Sequence, residues 1–214
     1  MPNAARVNDP NAHGKPLGPG PGSLTVTIGF QPAWRAIPAS VGAAVEAASK
    51  AVNQFMTTPV LTPANSADKI AEISKGLVES GAKAAVAGNP AGVAAVGAAL
   101  PTVIATNVAL TTAWGTASAA PGGQPAANEA YTKGITAAVG AASTAVFSAI
   151  GGMADMHVCP MPTPIPPHGP GVVCKASETV FVDNLPLARV GDQVMEACGG
   201  ANPIQVGCAT VVVG

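Results

Sequence analysis

The chain has 214 residues, a formal net charge of -1, and only 10% charged and 3% aromatic residues, where an ordinary globular domain carries roughly 25% charged. Its 10 Lys and Arg residues do not cluster, which excludes a nucleic-acid surface, since such a surface needs a basic stripe to release counterions. Ala, Gly, Pro and Val fill the gap, and a core of such small residues buries little area per residue, so the fold needs close backbone packing, a metal or a partner.

Residues 1–38 read as β and turn. The opening MPNAARVNDPNAHG is polar, with no apolar leader, so the protein is expected to stay in the cytoplasm before use. In that reducing compartment Cys159, Cys174, Cys198 and Cys208 read as thiols or metal ligands rather than disulfides. Gly and Pro punctuate the chain before a β-branched run, Leu24 to Ile28, and a turn follows from Gly29 to Pro32. Residues 39–154 are Ala-rich with helical periodicity. Val41, Val45 and Val52 share one face, and Ile70, Ile73, Leu77 and Val78 share another, opposite Lys69, Glu72, Lys75 and Glu79. Ser66 is the expected N-cap of the second segment. No charge occurs from Ala84 to Asn128, a stretch that Pro90 and Pro101 are expected to break, and a last uncharged segment runs from Gly134 to Ala154. Residues 155–214 return to β and turn, with prolines from 160 to 170 that no helix tolerates, then strand runs at 179–182 and 210–213.

The two outer zones share a pattern: Gly-Pro-Gly, a Ser, a Thr-Val strand, a turn, then Pro-x-x-Arg at Pro32–Arg35 and Pro186–Arg189. The C-terminal GGANPIQVGCATVVVG reads as a third copy cut after its strand, and Ala4 to Asp9 as the end of a copy whose strand is missing. The helical zone is thus inserted in a loop, between Arg35 and Asp155, of a small β domain.

Each histidine lies beside a turn signal: His13 after Asp9, His157 after Asp155, His168 before Gly169. Cys198 follows Asp192 in the equivalent place. If the copies are related by rotation, these loops converge and bring three imidazoles and a thiolate together. Zinc accepts such a set, and four protein ligands make the site structural. The plain alternative is loop histidines with no metal, and Cys159, two residues from His157, is the other candidate thiolate. Cys174 and Cys208 flank strand runs and read as small buried apolar residues.

The Pro-Ala-Trp-Arg and Pro-Leu-Ala-Arg endings, the Gly-Asp that follows Arg189, and Ala4-Ala5-Arg6-x-x-Asp9-x-x-x-His13 resemble the PAAR-repeat family over about 95 residues at the two ends. Trp34 and Leu187 depart from its alanines. The resemblance implies a β cone of short hairpins built by 1–38 and 155–214, with 39–154 as an α-helical insertion, α+β overall. It implies one structural zinc per chain held by His13, His157, His168 and Cys198, with Cys159 the lesser choice. It also implies a role as the spike tip of a contractile injection system such as type VI secretion. The tip would cap a trimeric β-helical spike protein of the VgrG type through Leu24, Val26, Ile28, Val180, Val182, Val211 and Val213. A protein of this kind is not an enzyme. It waits in the bacterial cytoplasm, then leaves at the tip of the spike. Effector cargo and a chaperone for the insert are further partners such a role allows.

Two readings of the insert remain open on sequence: a soluble bundle, or a membrane-active hairpin delivered by the cone, with 84–119 and 134–154 long enough to span a bilayer. A zinc hydrolase would need an open metal position and a carboxylate base. Asp9, Asp155, Asp192 and Glu196 are near candidate ligands, but aspartates at turns ordinarily serve the backbone.

Overall fold

The computed structural model describes residues 1–162 and 167–214. Part of the proline-spaced run, residues 163–166, lies outside them. Both chain ends build one β framework, split in sequence by four helices. Strands β1 (Asn3–Ala4), β2 (Thr27–Ile28) and β3 (Gln31–Pro32) precede helices α1 (Ala39–Met56), α2 (Pro63–Val86), α3 (Ala91–Ser118) and α4 (Gln124–Gly151). Strands β4 (Met156–Pro162), β5 (Pro167–Val173), β6 (Phe181–Val182), β7 (Leu185–Pro186), β8 (Gln193–Glu196), β9 (Gly200–Pro203) and β10 (Cys208–Val212) follow. An antiparallel sheet runs β4-β5-β8-β9, and β2-β3, β6-β7 and β1-β10 form three separate pairs.

Those three pairs are related by an approximate three-fold rotation. Two are hairpins whose turns need positive φ: Gly29 (54°) with Phe30 (66°), and Asp183 (49°) with Asn184 (63°). The third joins the two ends of the chain. At equivalent positions Ala5 N–H donates to Ala188 C=O (2.9 Å), Ala188 to Trp34 (2.9 Å) and Trp34 to Ala5 (3.0 Å), closing a ring of backbone hydrogen bonds. The same three segments bond again two residues further along, from Val7 to Pro32 (3.0 Å), Ala36 to Pro186 (2.8 Å) and Val190 to Asn3 (2.9 Å). Trp34, which stands where the other copies have Ala5 and Ala188, is fully buried and fills the centre with Leu17, Val173, Val194 and Ile204.

Each copy ends in the same clasp. The Arg6 amide and guanidinium donate to the Asp9 carboxylate, at 2.8 Å from N–H and 2.8 Å from Nη2. Arg189 and Asp192 repeat it at 2.8 and 3.2 Å. Arg35 repeats it at 2.7 and 2.9 Å, but its aspartate is Asp155. All four helices are threaded between the two halves of this one clasp. Arg35 also donates to Asp183 (3.0 Å), tying the clasp to the neighbouring hairpin.

The helices pack onto the four-stranded sheet rather than standing apart from it. Val41, Val45, Val52 and Phe55 of α1 and Val139, Val146, Phe147 and Ile150 of α4 share one buried cluster with Val172, Met195 and Ala197. Gly42 lets α1 sit directly on the Cys174 carbonyl, where a Cβ would collide. Ser49 and Ser143 donate to the Glu196 and Ala197 carbonyls, both at 2.7 Å. Helix α2 is capped by Thr62, not by Ser66: the Thr62 side chain accepts from the Asn65 amide while Asn65 reaches back, with Pro63 at the first helical position. Ser66 is buried within the helix and hydrogen-bonds Tyr131. Pro101 does not break α3, which runs through it. Pro101 and Gly97, the residue whose carbonyl loses its donor, are both exposed, and Gly97 offers no side chain to the proline ring.

Tyr131 links three helices, its hydroxyl lying 2.6 Å from Ser66 Oγ and 2.6 Å from Asn107 Oδ1. Tyr131→Phe removes both bonds and leaves a buried serine, so urea denaturation should register a loss of about 1–3 kcal/mol. No change in the midpoint would mean that Ser66 and Asn107 pair elsewhere.

The seven strand residues expected at a partner surface separate into groups. Ile28, Val182 and Val213 are buried at 8%, 5% and 3% exposure, enclosed with Ala4, Ala33 and Leu187. They belong to the chain's own core, because the three strand pairs turn these positions toward one another. Val26, Val180 and Val211 pack on the rim of that cluster and remain half-exposed, and Leu24 is exposed.

Candidate metal centre

Five segments meet at one end of the sheet. His13 sits in a tight loop organised by Asn11, whose side-chain oxygen accepts from the His13 and Lys15 amides at 3.0 and 3.1 Å. His157 and Cys159 alternate on β4 and both face inward, as period-two geometry requires. His168 lies on β5 one residue before Gly169, the partner of Cys159 in the ladder. Glu196 closes β8, and Asn202 points in from β9.

His13, Cys159, His168 and Glu196 each present a ligand atom within 4.8 Å of the others. His13 Nδ1 is 3.4 Å from Cys159 Sγ, which is 3.8 Å from His168 Nδ1. A tetrahedral ion with zinc-like bond lengths needs nitrogen–sulfur edges of about 3.6 Å. His168 Nδ1 lies 2.7 Å from one Glu196 oxygen and His13 Nδ1 3.5 Å from the other. Asn202 donates to Glu196 at 2.7 Å and lies 3.0 Å from His13 Nδ1. A side chain at Gly199 would run into the Glu196 carboxylate and the His168 ring, so only glycine leaves the site its space.

Of the residues expected to ligate, His13 and His168 belong to this cluster. His157 stands just behind it, with Nε2 4.0 Å from Glu196 and 2.9 Å from the Asn11 amide. Cys198 is turned away. Its sulfur faces the Gly140 carbonyl of α4 at 3.9 Å, and its thiol is pushed up to about 11 by burial. The correction has a simple cause: Cys198 lies in the turn beyond β8, and the helix packed beneath that turn takes its side chain. Cys159 occupies the thiol position instead. Glu196 carried only a weak signal in sequence, as one acidic residue among several near the histidines, and Asn202 and Gly199 carried none.

The donor set fits a divalent cation. Glu196 is fully buried, and among the described residues its ionic partners are histidines alone. A buried carboxylate without a cation is costly. The Cys159 thiol is pushed up to about 11, first by burial, with Glu196 adding to the effect, and only a bound cation would hold it as thiolate. Thiolate plus carboxylate with two neutral imidazoles balances a charge of two. Burial lowers the His157 pKa, which favours the neutral ring. His13 keeps 27% side-chain exposure, so the site opens to the surface on that side. The helices flank it, with Asn53 beside Gly200 and Thr144 beside Gly169.

The PAAR motif matches residues 163–214. PAAR domains are structural, non-catalytic modules. No curated protein matches the chain, and no solved structure does.

Proposed function

Taking the PAAR motif at residues 163–214 as the premise, we propose that the chain is the tip of a contractile injection spike, held rigid by a structural zinc. The three-fold arrangement of the hairpins carries this reading. A monomer has no internal need for three-fold symmetry built from both of its ends, whereas a trimeric β-helical spike of the VgrG type presents that symmetry to whatever caps it. Val26, Val180 and Val211, half-exposed at equivalent positions, are the apolar contacts on which such a cap would seat, with backbone of the short strands meeting the open strands of the prism.

Zinc, when bound, would supply a fixed cross-link and no reaction chemistry. His13, Cys159, His168 and Glu196 would hold it, tying the N-terminal loop to β4, β5 and β8. Asn202 orients Glu196, and Asn11 orients His157 behind the site. Cross-linking four segments stiffens the end of the body that would meet a target envelope. In this reading the protein waits in the bacterial cytoplasm and leaves with the spike, and cargo or a chaperone engages the helices.

Val180→Asp combined with Val211→Asp tests the seat. The double variant should fold, retain its metal and lose capture by a trimeric VgrG-type spike by at least about 100-fold, as expected for a charge placed in an apolar interface centre. Undiminished capture would sink the proposed seat.

A further inference from the structure

Two helices of the insertion hold the turn that carries Glu196. Ser49 of α1 and Ser143 of α4 are fully buried. Their hydroxyls donate to the carbonyls of the consecutive residues Glu196 and Ala197, both at 2.7 Å. From its other side the same turn is tied to the strand of a second cluster residue. The Ala197 amide donates to the Pro170 carbonyl (2.8 Å) and the Cys198 amide to the His168 carbonyl (3.0 Å). The backbone of residues 196–198 is thus fixed from α1, α4 and β5 at once.

The helices also come close to the ligand-bearing strands at glycines. A Cβ on Gly200 would lie 3.0 Å from the Asn53 side chain of α1, and one on Gly169 would lie 3.4 Å from the Thr144 hydroxyl of α4. Apolar packing completes the contact, since Val52, Val146 and Phe147 share a buried cluster with Met195, Ala197 and Cys198. Alanine fills the neighbouring buried helix positions 44, 48 and 142. Alanine at 49 and 143 would serve packing equally but would leave the Glu196 and Ala197 carbonyls without these donors.

Docking of the helices and metal binding therefore favour each other. In the docked arrangement the Glu196 side chain is fully buried, where a carboxylate without a cation is costly. A bound cation removes that cost, and a turn released by the helices would relieve it by admitting water. Coupling of this kind is reciprocal: whatever strengthens docking strengthens metal binding, and the reverse.

We infer, resting on the metal centre described above, that Ser49 and Ser143 are positioning residues that make the helical insertion a clamp on the Glu196 arm of the site. Metal affinity and the docking of α1 and α4 are coupled through them.

The test uses the full chain, with zinc affinity read by competition with a chromophoric chelator. Ser49→Ala combined with Ser143→Ala should weaken zinc binding by about 10–100-fold, the range for groups that orient a ligand from behind. Tyr131→Phe loosens the helices about 18 Å along α4 from Ser143. It should change zinc affinity by less than about 2-fold, which separates positioning from general stability. In the wild-type chain, stripping zinc should speed amide hydrogen exchange in α1 and α4 by at least about 10-fold. The amides of Ala5, Trp34 and Ala188 in the backbone ring should keep their rates. This second measurement needs no variant, so it decides the matter even where the double variant fails to fold. Equal zinc affinity in the wild-type and double variants overturns the clamp, as do equal losses in the double variant and Tyr131→Phe. Unchanged exchange in both helices overturns it as well. A wild-type chain that takes up no zinc removes the metal centre itself, and the clamp with it.

Discussion

Cys159→Ala empties the proposed zinc site, and Cys198→Ala leaves it loaded. The two cysteines separate cleanly because one faces the cluster and the other faces a helix carbonyl. A structural zinc contributes apparent binding energy of about 10–16 kcal/mol, and removing one of four ligands leaves an open, weaker site. Cys159→Ala should therefore reduce zinc affinity by more than the roughly 10–100-fold expected for a supporting residue such as Asn202→Ala. The readouts are metal content of the purified protein and competition with a chelator. Glu196→Gln adds a second discrimination. It is nearly isosteric but removes the negative charge, so it should also release the metal, and in its absence the neutral amide should be tolerated where the carboxylate was costly. Zinc lost from Cys198→Ala and kept by Cys159→Ala would reverse the assignment.

The second large effect is expected at the clasp that closes the insertion. Asp155 is fully buried and Arg35 retains 13% side-chain exposure, so Arg35→Ala leaves a buried carboxylate without its cation. Breaking such a pair from one side costs about 3–5 kcal/mol. It also severs the Asp183 link that joins this clasp to the next hairpin. Arg6→Ala and Arg189→Ala break clasps of the same geometry within three residues of chain, and both have more exposed arginines, at 20% and 18%. They should cost less, because the chain itself keeps the two halves close. Denaturation curves for the three variants measure the difference directly. Equal losses for all three would show that the Arg35 clasp has no special duty in holding the chain ends together across the helices.

Much of the framework was legible in the amino-acid order, because it rests on local chemistry. Gly, Pro and Asn at turns, Thr-Val runs and the recurring Pro-x-x-Arg each constrain the backbone over a few residues, wherever they lie in the chain. The copies therefore revealed the split β body and the place of the insertion between Arg35 and Asp155. The helices were legible for the same reason, since a period of 3.6 is a local property. Prolines misled at one point: Pro101 sits where an exposed helix face and Gly97 tolerate it. The N-cap at Thr62 was hidden because Pro63 and Asn65 act as a set, and Ser66 alone looked sufficient.

The sequence by itself determined that three histidines and a cysteine would lie beside turns of a repeated β unit, and that a long stretch of the insert would carry no charge. Only the tertiary structure decided that Cys159 and Glu196 face the same space as His13 and His168, that Cys198 does not, and that Ile28, Val182 and Val213 turn inward. The reason is physical. A one-residue shift of strand register or turn position reverses the direction of a side chain, and register here is set by pairing between residues more than a hundred positions apart, together with helices that pack against one face of the sheet.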